Sequence, residues 1–445
     1  MKPYPVYKNS GLEWLGEIPS NWDIMLVRRL VKDHKQGYYT SQDYVDDGGT
    51  KLLRITDIDD FSNVDYSNSP KVALSDSEKQ SFGLEIGDFV FARSGSIGRF
   101  GIIRQDTDAA FASYLIRFRF SEKVIIDFLK YYFLSHFFKN SLISDLHGGA
   151  NQNIHAENIK NQFIALPSTS EQQAIADFLD CKTAQIAVLI EKKQRQIDLL
   201  QEQRTALINH AVTKGLNPDA PMKDSGVEWL GEIPRHWAMT TARYFYDVKL
   251  GKMLDSNKQN GNDLVKPYLR AANIHWNKIL LDEVGVNEME FSEPQLERYA
   301  LQSGDLLVTE GGVTVGRSAI WNGELTECYF QNSLNRARPS KHASTKWLYY
   351  WMYFVTNNGF IDILADKSTF GHLTNEKLKA LPIPIPPVSE HNEIIAKLEG
   401  FEPKMKAQVA LIERQIELLK EYRTALISEA VTGKIDVREW QTVHE

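Results

Sequence analysis

The sequence predicts an α+β protein built twice over. Two tandem α/β regions are joined by two long helices packed as an antiparallel coiled coil, pseudo-two-fold in plan and pseudo-circular in chain path. Three observations carry that prediction. The 445-residue chain writes SGLEWLGEIPSNW from Ser10 to Trp22 and SGVEWLGEIPRHW from Ser225 to Trp237. Further paired segments recur in the same order through both halves. Each half then closes on a long helix with a seven-residue apolar repeat. Near-identity over such a stretch exceeds what helix or strand periodicity produces, so an internal repeat governs the architecture.

The paired segments set the domain plan. Gly87-Asp88, within LEIGDFVFARSGSIGR, matches Gly304-Asp305, within LQSGDLLVTEGGVTVGR. FLKYYFLSHFF from Phe128 matches WLYYWMYFV from Trp347, and LPSTSEQQAIADFLD from Leu166 matches IPPVSEHNEIIAKLE from Ile385. QRTALINHAVTKG from Gln203 matches YRTALISEAVTGK from Tyr422. This order gives an opening segment at 1–21, an α/β region at 22–167 and a helical spacer at 168–214. A repeat of the opening segment follows as a linker at 215–236. A second α/β region at 237–386, a second spacer at 387–437 and a tail at 438–445 complete the chain. Runs such as DFVFARSG and YLIRFRF read as strands. Ser170 and Ser389 stand just before Glu171 and Glu390, as expected of N-caps with acidic first-turn residues.

The spacers carry heptads. Leu179, Ile186, Lys193, Leu200 and Leu207 form one line in the first, and Thr183, Ile190, Ile197, Arg204 and Ala211 the other. In the second the lines are Leu398, Met405, Ile412, Leu419, Leu426 and Val409, Ile416, Arg423, Ala430. Such sustained spacing predicts that Leu179, Ile186, Ile190, Ile197, Leu200 and Leu207 pack against Met405, Ile412, Ile416, Leu419 and Leu426. An amphipathic helix lying on its own domain is the competing reading; the shared seam favours pairing. Gly400 and Pro403 predict a kink or late start in the second helix. A two-fold plan further requires Val431 to Val437 to end near Met1 to Pro19. The first opening segment then docks where the second helix ends, as its repeat docks after the first helix.

Composition bounds the function classes. The chain is 42% hydrophobic and 24% charged, as in soluble globular proteins. MKPYPVYKNSGLEW has no apolar leader, and the longest greasy stretch, Trp347 to Val355, reads as a buried helix too short for a membrane span. Two cysteines, Cys181 and Cys328, fit a reducing, cytoplasmic setting. The net charge of −7 argues against a free-standing DNA binder. No phosphate loop, dinucleotide fingerprint, amino-methyltransferase tetrapeptide or zinc cluster is present, so catalytic, cofactor and metal residues are expected to be none. Glu191 to Lys193 spells a nuclease-like E-x-K, but within a heptad helix it reads as a solvated face.

SGLEWLGEIPSNW, LEIGDFVFARSGSIGR, GGANQNIHAENIKNQFIALPSTSEQQAIADFLD and QRTALINHAVTKG together resemble the specificity subunit of type I restriction-modification systems. The likeness runs through essentially the whole chain. It departs where Glu390-His391 replaces Glu-Gln and KSTFGHLT replaces a Gly-Ala-x-Gln-x-Asn loop. The resemblance implies that each α/β region is a target recognition domain reading one half of a bipartite double-stranded DNA site. It implies a spacer of paired helices that fixes the gap between half-sites, and a chain that catalyses nothing. Two modification subunits would bind S-adenosylmethionine and methylate adenine at N6; motor-nuclease restriction subunits would use ATP and Mg.

Under that resemblance the charge becomes a constraint. Trp22 to Ala165 holds 17 Lys+Arg against 19 Asp+Glu, and Trp237 to Ile385 holds 16 against 16. Phosphate neutralisation dominates non-specific affinity, so partners must supply much of the grip while this chain reads base edges. The expected DNA-binding residues are Arg93, Ser94, Ser96 and Arg99 in one loop and Asn151, Gln152 and Asn153 in another. In the second half the matching loop, Glu310 to Arg317, lacks a counterpart to Arg93 and offers Thr314 and Arg317, while Thr369 and His372, around Gly371, stand opposite the Asn151 to Asn153 loop. Tyr38, Tyr39, Arg54 and Arg270 are weaker candidates. The rival reading is a structural coiled-coil adaptor joining two protein-binding modules. Divergence concentrated in the α/β regions favours two different readers on one scaffold.

Overall fold

The computed structural model describes residues 2–39, 44–46, 48–94, 98–144, 153–254, 263–340, 343–365 and 371–440. The chain divides into two compact units, Met1–Gln194 with Ile412–Glu445, and Arg195–Leu411. Each is described by itself.

In the first unit a four-stranded antiparallel sheet runs in the order Val31–Gln36, Leu115–Phe120, Phe89–Ala92, Phe100–Ile102. A second sheet sets Thr50–Leu53 between an antiparallel neighbour, Lys71–Val72, and a parallel one, Ala109–Phe111. The exit strand Phe163–Leu166 pairs with Asp23–Leu26. The second unit repeats every step. Its main sheet runs Tyr246–Leu250, Leu334–Pro339, Leu306–Thr309, Ser318–Ile320. Leu264–Leu269 lies between antiparallel Asn287–Phe291 and parallel Tyr329–Phe330. Pro382–Ile385 pairs with Ala238–Thr241. The sequence repeat is thus a repeat of topology.

The aromatic helices pack on these sheets. Phe133 of helix Ile126–Leu134 meets Phe89, Phe91 and Phe100 edge-on at 4.9–5.7 Å between centroids. In helix Thr345–Asn357 every residue from Trp347 to Val355 is buried, as expected of that greasy stretch. Among the described residues no helix is long and apolar enough to cross a membrane.

The long helices span Thr169–Lys214 and Val388–Val431. In the first unit Leu179 and Ile186 share a core with Leu426, Ile427, Ala430 and Val431, with Ile190 and Leu419 packed against it. In the second, Ile208, Ala211 and Val212 share a core with Ile394, Ile395 and Leu398, with Leu207 packed against it. In each unit the start of one helix meets the end of the other, so the pair is antiparallel. Ile197, Met405, Ile412 and Ile416 are also buried and Leu200 is half-buried.

Three local expectations are corrected. The second helix has no late start: it begins at Val388 and continues through Gly400 and Pro403. Both residues are exposed, so water can satisfy the carbonyl that a helical proline leaves without its donor. Ser170 and Ser389 lie inside the first turn instead of capping it. Glu171 and Gln172 donate N–H to the Ser168 carbonyl at 3.0 and 2.8 Å, and His391 to that of Pro387 at 2.8 Å. The exit strands run directly into the helices, so the first turn forms one to two residues early. Arg204 and Arg423 lie on the seam lines but are not apolar knobs. Arg204 binds Glu402 at 2.6 and 2.9 Å and lies over Tyr353, whereas Arg423 lies 4.5 Å over the Phe61 ring.

The repeated opening segment is a latch. The indole N–H of fully buried Trp22 donates to Glu171 Oε1 at 3.0 Å, and Asn21 donates to Oε2 at 3.1 Å. Trp237 donates to Glu390 Oε2 at 3.1 Å, and His236 lies 2.6 Å from the same oxygen. The acidic first-turn residue and the terminal Trp of SG-EWLGEIP--W therefore answer one another. The expected closure of the chain is also present. Tyr7 donates to the Gly433 carbonyl at 3.1 Å, Lys434 Nζ to those of Leu15 and Glu17 at 3.1 and 2.6 Å, and Lys2 bridges to Asp436.

Candidate nucleic-acid interface

Each main sheet ends in loops that meet through the backbone. In the first unit Gly37 follows the strand Val31–Gln36 and donates to the Leu115 carbonyl at 3.0 Å, while Tyr38 donates to that of Phe111 at 2.7 Å. A Cβ on Gly37 would stand 2.0 Å from the Ala112 carbonyl oxygen. Gly251 has the same place in the second unit, where a Cβ would stand 2.3 Å from the Gln331 oxygen. Only glycine permits this approach. An isolated glycine at a strand end reads in sequence as an ordinary turn.

The candidate loops converge at the same sheet end. The Arg93 N–H donates to the Tyr114 carbonyl at 2.9 Å, and the Arg93 carbonyl accepts from Ile154 at 2.7 Å. The structure therefore brings Arg93 and Ser94 to the segment of Asn153, and Tyr114, which accepts from Arg93, and Tyr39, next to Tyr38, are exposed. In the second unit Glu310 donates to Ser333 at 2.9 Å and accepts from Leu373 at 2.7 Å. Gly311 bridges to His372, whose Nδ1 lies 3.2 Å from Glu310 Oε2. Glu310 is thus the positional counterpart of Arg93, a correspondence that the reversal of charge hides in the sequence. Ser96, Asn151, Gln152 and Thr369 lie outside the described residues.

The remaining candidates separate by partner. Arg99 pairs with Asp60 at 2.6 Å. Among the described residues the Arg317 guanidinium has no hydrogen-bond or ion-pair partner, and neither has that of Arg93. Thr314 is half-buried and its carbonyl accepts from Arg317 N–H at 3.0 Å and from the Thr309 hydroxyl. Arg54 is held by Asp57 at 2.9 Å and by the Asn68 carbonyl at 2.7 Å. Its hydrogen bonds to Asp57 raise the guanidinium above its ordinary value. Arg270 faces neutral Asn273, which accepts its backbone N–H at 3.1 Å. Tyr38 packs edge-on against Phe82, while Tyr39 stands exposed.

Other arginines belong to the scaffold. Asp88 of the first Gly-Asp pair caps the Glu85 N–H at 2.9 Å and binds Arg119 at 2.8 Å. Asp305 caps the Gln302 N–H at 2.8 Å and binds Arg338 at 2.7 Å, holding that guanidinium above its usual value. Arg117 and Arg336, nearly inaccessible, reach Asp33 and Asp247 at 2.8 and 2.6 Å. Both charge pairs are local to their unit, but each joins segments far apart in sequence. The repeated R-x-R spacing was their only sequence signal. Among the described residues no three His, Cys, Asp or Glu side chains are grouped to hold a metal ion.

Two copies of one α/β unit, each closing its sheet on a different set of polar groups, define a protein with two recognition ends on a shared helical spacer. Comparison with known proteins gives that class its family. The model of the type I restriction modification DNA specificity domain matches residues 19–199 and 234–420, and the chain belongs to that family. It is 24% identical over 421 residues to the EcoKI type I restriction enzyme specificity subunit of Escherichia coli K12, covering 90% of this chain and 85% of that one. A chain from a structure of the type I R-M system superposes with a TM-score of 0.71 at 18% identity, covering 94% of this chain and 99% of that one. The HsdS subunit from Thermoanaerobacter tengcongensis gives 0.54 at 18% identity, covering 94% and 98%.

Proposed function

We propose that this chain is the DNA sequence-specificity subunit of a type I restriction-modification complex. It reads a bipartite double-stranded site, one half-site per α/β unit, and the paired helices set the gap between them. The observation that carries this reading is the duplicated topology, with both sheets ending in the same loop arrangement but in different side chains. One scaffold used twice with different reading groups is what two unlike half-sites require. Membership of a DNA specificity family supports it over a protein-binding adaptor.

The chain itself performs no chemistry in this reading. Two modification subunits bind S-adenosylmethionine and methylate adenine at N6 in each half-site. Motor-nuclease subunits, using ATP and Mg, add translocation and cleavage. Both α/β regions are close to charge balance, so the partners supply much of the phosphate neutralisation that dominates affinity. Arg93, Ser94, Ser96, Arg99, Asn151, Gln152 and Asn153 are the proposed contacts of the first unit. Thr314, Arg317, Thr369 and His372 are those of the second.

The test is methylome sequencing of cells carrying the modification subunit with and without this chain. A bipartite methylated motif that appears only with the chain supports the reading. A motif unchanged by its absence overturns it.

A further inference from the structure

We infer that the position shared by Arg93 and Glu310 is a specificity determinant of opposite sign in the two units. The Arg93 guanidinium reads a guanine in one half-site. The Glu310 carboxylate, seated by His372, reads an exocyclic amine, cytosine N4 or adenine N6, in the other. The inference rests on the proposed role of the chain in reading DNA.

Equivalence of the two positions is backbone geometry. Each residue donates its N–H across to the neighbouring strand's loop at 2.9 Å, and each carbonyl accepts at 2.7 Å from the returning strap, at Ile154 or Leu373. Both backbones are pinned, so the side chains leave from matching points on the same sheet end. What differs is the charge. Arg93 is half-buried with no partner for its guanidinium among the described residues. Buried cations elsewhere on this scaffold are paired, as Arg117 and Arg336 are.

Glu310 is built differently. Its side chain is 20% exposed, and Oε2 lies 3.2 Å from His372 Nδ1. A carboxylate only accepts, so Nδ1 is the donor of this pair and holds the Glu310 carboxylate in place. Glu310 Oε1 has no partner among the described residues. The end therefore offers the carboxylate as its acceptor. His372 reaches this place because residue 311 is glycine, where a Cβ would stand 2.7 Å from Nδ1. Ser94 and Asn153 occupy the corresponding places in the first unit.

Base edges then select. In the major groove guanine shows the acceptors O6 and N7, which a guanidinium meets with two donors; cytosine N4 and adenine N6 are donors, which a carboxylate accepts. Guanine and thymine present acceptors to Glu310, and like would face like.

The test uses the assembled methyltransferase, this chain with its modification subunit, on a DNA library randomised across both half-sites, with Arg93→Gln, Glu310→Gln and Gly311→Ala. Arg93→Gln should lower the preference for one guanine in one half-site by roughly 10- to 100-fold. The other half-site and the gap should be retained, which also reports that the complex folds. Glu310→Ala, tested beside Glu310→Gln, should lower the preference at one position of the other half-site, and an unaltered motif in Glu310→Ala overturns the inference. If that base is cytosine, the carboxamide of Glu310→Gln should move the preference toward adenine, which it meets at N6 and N7. If it is adenine, Glu310→Gln should keep the preference that Glu310→Ala loses. Gly311→Ala should weaken discrimination at the same position by displacing His372. The inference is overturned if Arg93→Gln leaves the motif intact or lowers methylation of all sequences equally, as loss of a phosphate contact would. It is also overturned if the position altered by Glu310→Gln is guanine or thymine in the parent. In those cases the parent chain still directs a bipartite motif. Methylation that ignores the chain altogether would instead remove the underlying reading.

Discussion

Lengthening the spacer should lengthen the gap between half-sites by a calculable amount. The units divide between Gln194 and Arg195 in the first long helix and between Leu411 and Ile412 in the second. Four residues added at each junction extend both helices equally and leave Leu207 to Val212 and Ile394 to Leu398 in their core. Extending one helix alone would pull one of those segments out of register. Four helical residues add about 6 Å of rise and overshoot one turn by roughly 40°. Four is also the stutter that a heptad seam absorbs by local unwinding. Duplex DNA advances about 3.4 Å per base pair, so the gap should grow by one to two base pairs. The assay is the methylated motif of the double-insertion chain expressed with its modification subunit. Both half-site sequences should persist. An active complex with an unchanged gap would refute the spacer argument, because no rearrangement of recognition loops compensates a shift of that size.

Replacing Glu171 with Ala leaves the indole N–H of fully buried Trp22 without its acceptor. That costs about 1–3 kcal/mol, and calorimetry should show a fall of about 2–4 °C in Tm per kcal/mol. Glu171→Gln keeps an acceptor and should recover most of the loss; equal losses in both variants would show that the hydrogen bond is not the cause. Arg317→Ala should weaken specific DNA binding by the assembled complex by roughly 1–3 kcal/mol if Arg317 reads a base. Arg99→Ala should cost less, since Asp60 already holds that guanidinium; unchanged affinity in both would move the reading surface elsewhere. The chain without modification subunits should bind DNA weakly at physiological salt, and tight sequence-specific binding in gel-shift titrations would contradict the charge argument. Burial beside Trp347 holds the His391 imidazole below its ordinary 6.5. The unfolded chain therefore takes up the proton first, so this stability is present above about pH 6.5 and lost as pH falls through that value toward the folded one. His391→Gln should flatten the decline of Tm on acidification, and an unaltered pH slope would clear His391 of any part in it.

Much of this architecture was legible because it is periodic. A thirteen-residue segment repeated with ten identical positions fixes the duplication, and the heptads place Leu179, Ile186, Ile412 and Leu426 in a buried seam. The latch was half visible. Trp22 and Glu171 each sit in a repeated motif, but nothing in the spacing says that one donates to the other. Helix starts were misplaced by one or two residues because Ser170 has the chemistry of a cap, while the strand leading in from Leu166 delivers Ser168 to the capping position instead. The interface was harder. Arg99 and Arg317 close equivalent loops, yet among the described residues only Arg99 meets an aspartate, and that aspartate lies far away in sequence. Gly37 and Gly251 gave no signal because a forbidden Cβ is a property of the strand opposite.

In the proposed reading those same features explain how two α/β regions close to charge balance serve recognition. The arginines of the central strands are consumed by Asp33, Asp88, Asp247 and Asp305. Their charge stiffens the sheet and is not available to phosphates. In the proposed reading, what remains for DNA is a small number of side chains beyond the strand ends, chiefly Arg93 in one unit and Glu310, His372 and Arg317 in the other. Such residues can change sign, as Arg93 and Glu310 do, without disturbing a buried ion pair or a glycine-dependent crossing. A scaffold that neutralises itself internally separates stability from reading. On the proposed function it should also keep non-specific affinity low, so that a few base contacts decide where the complex stays.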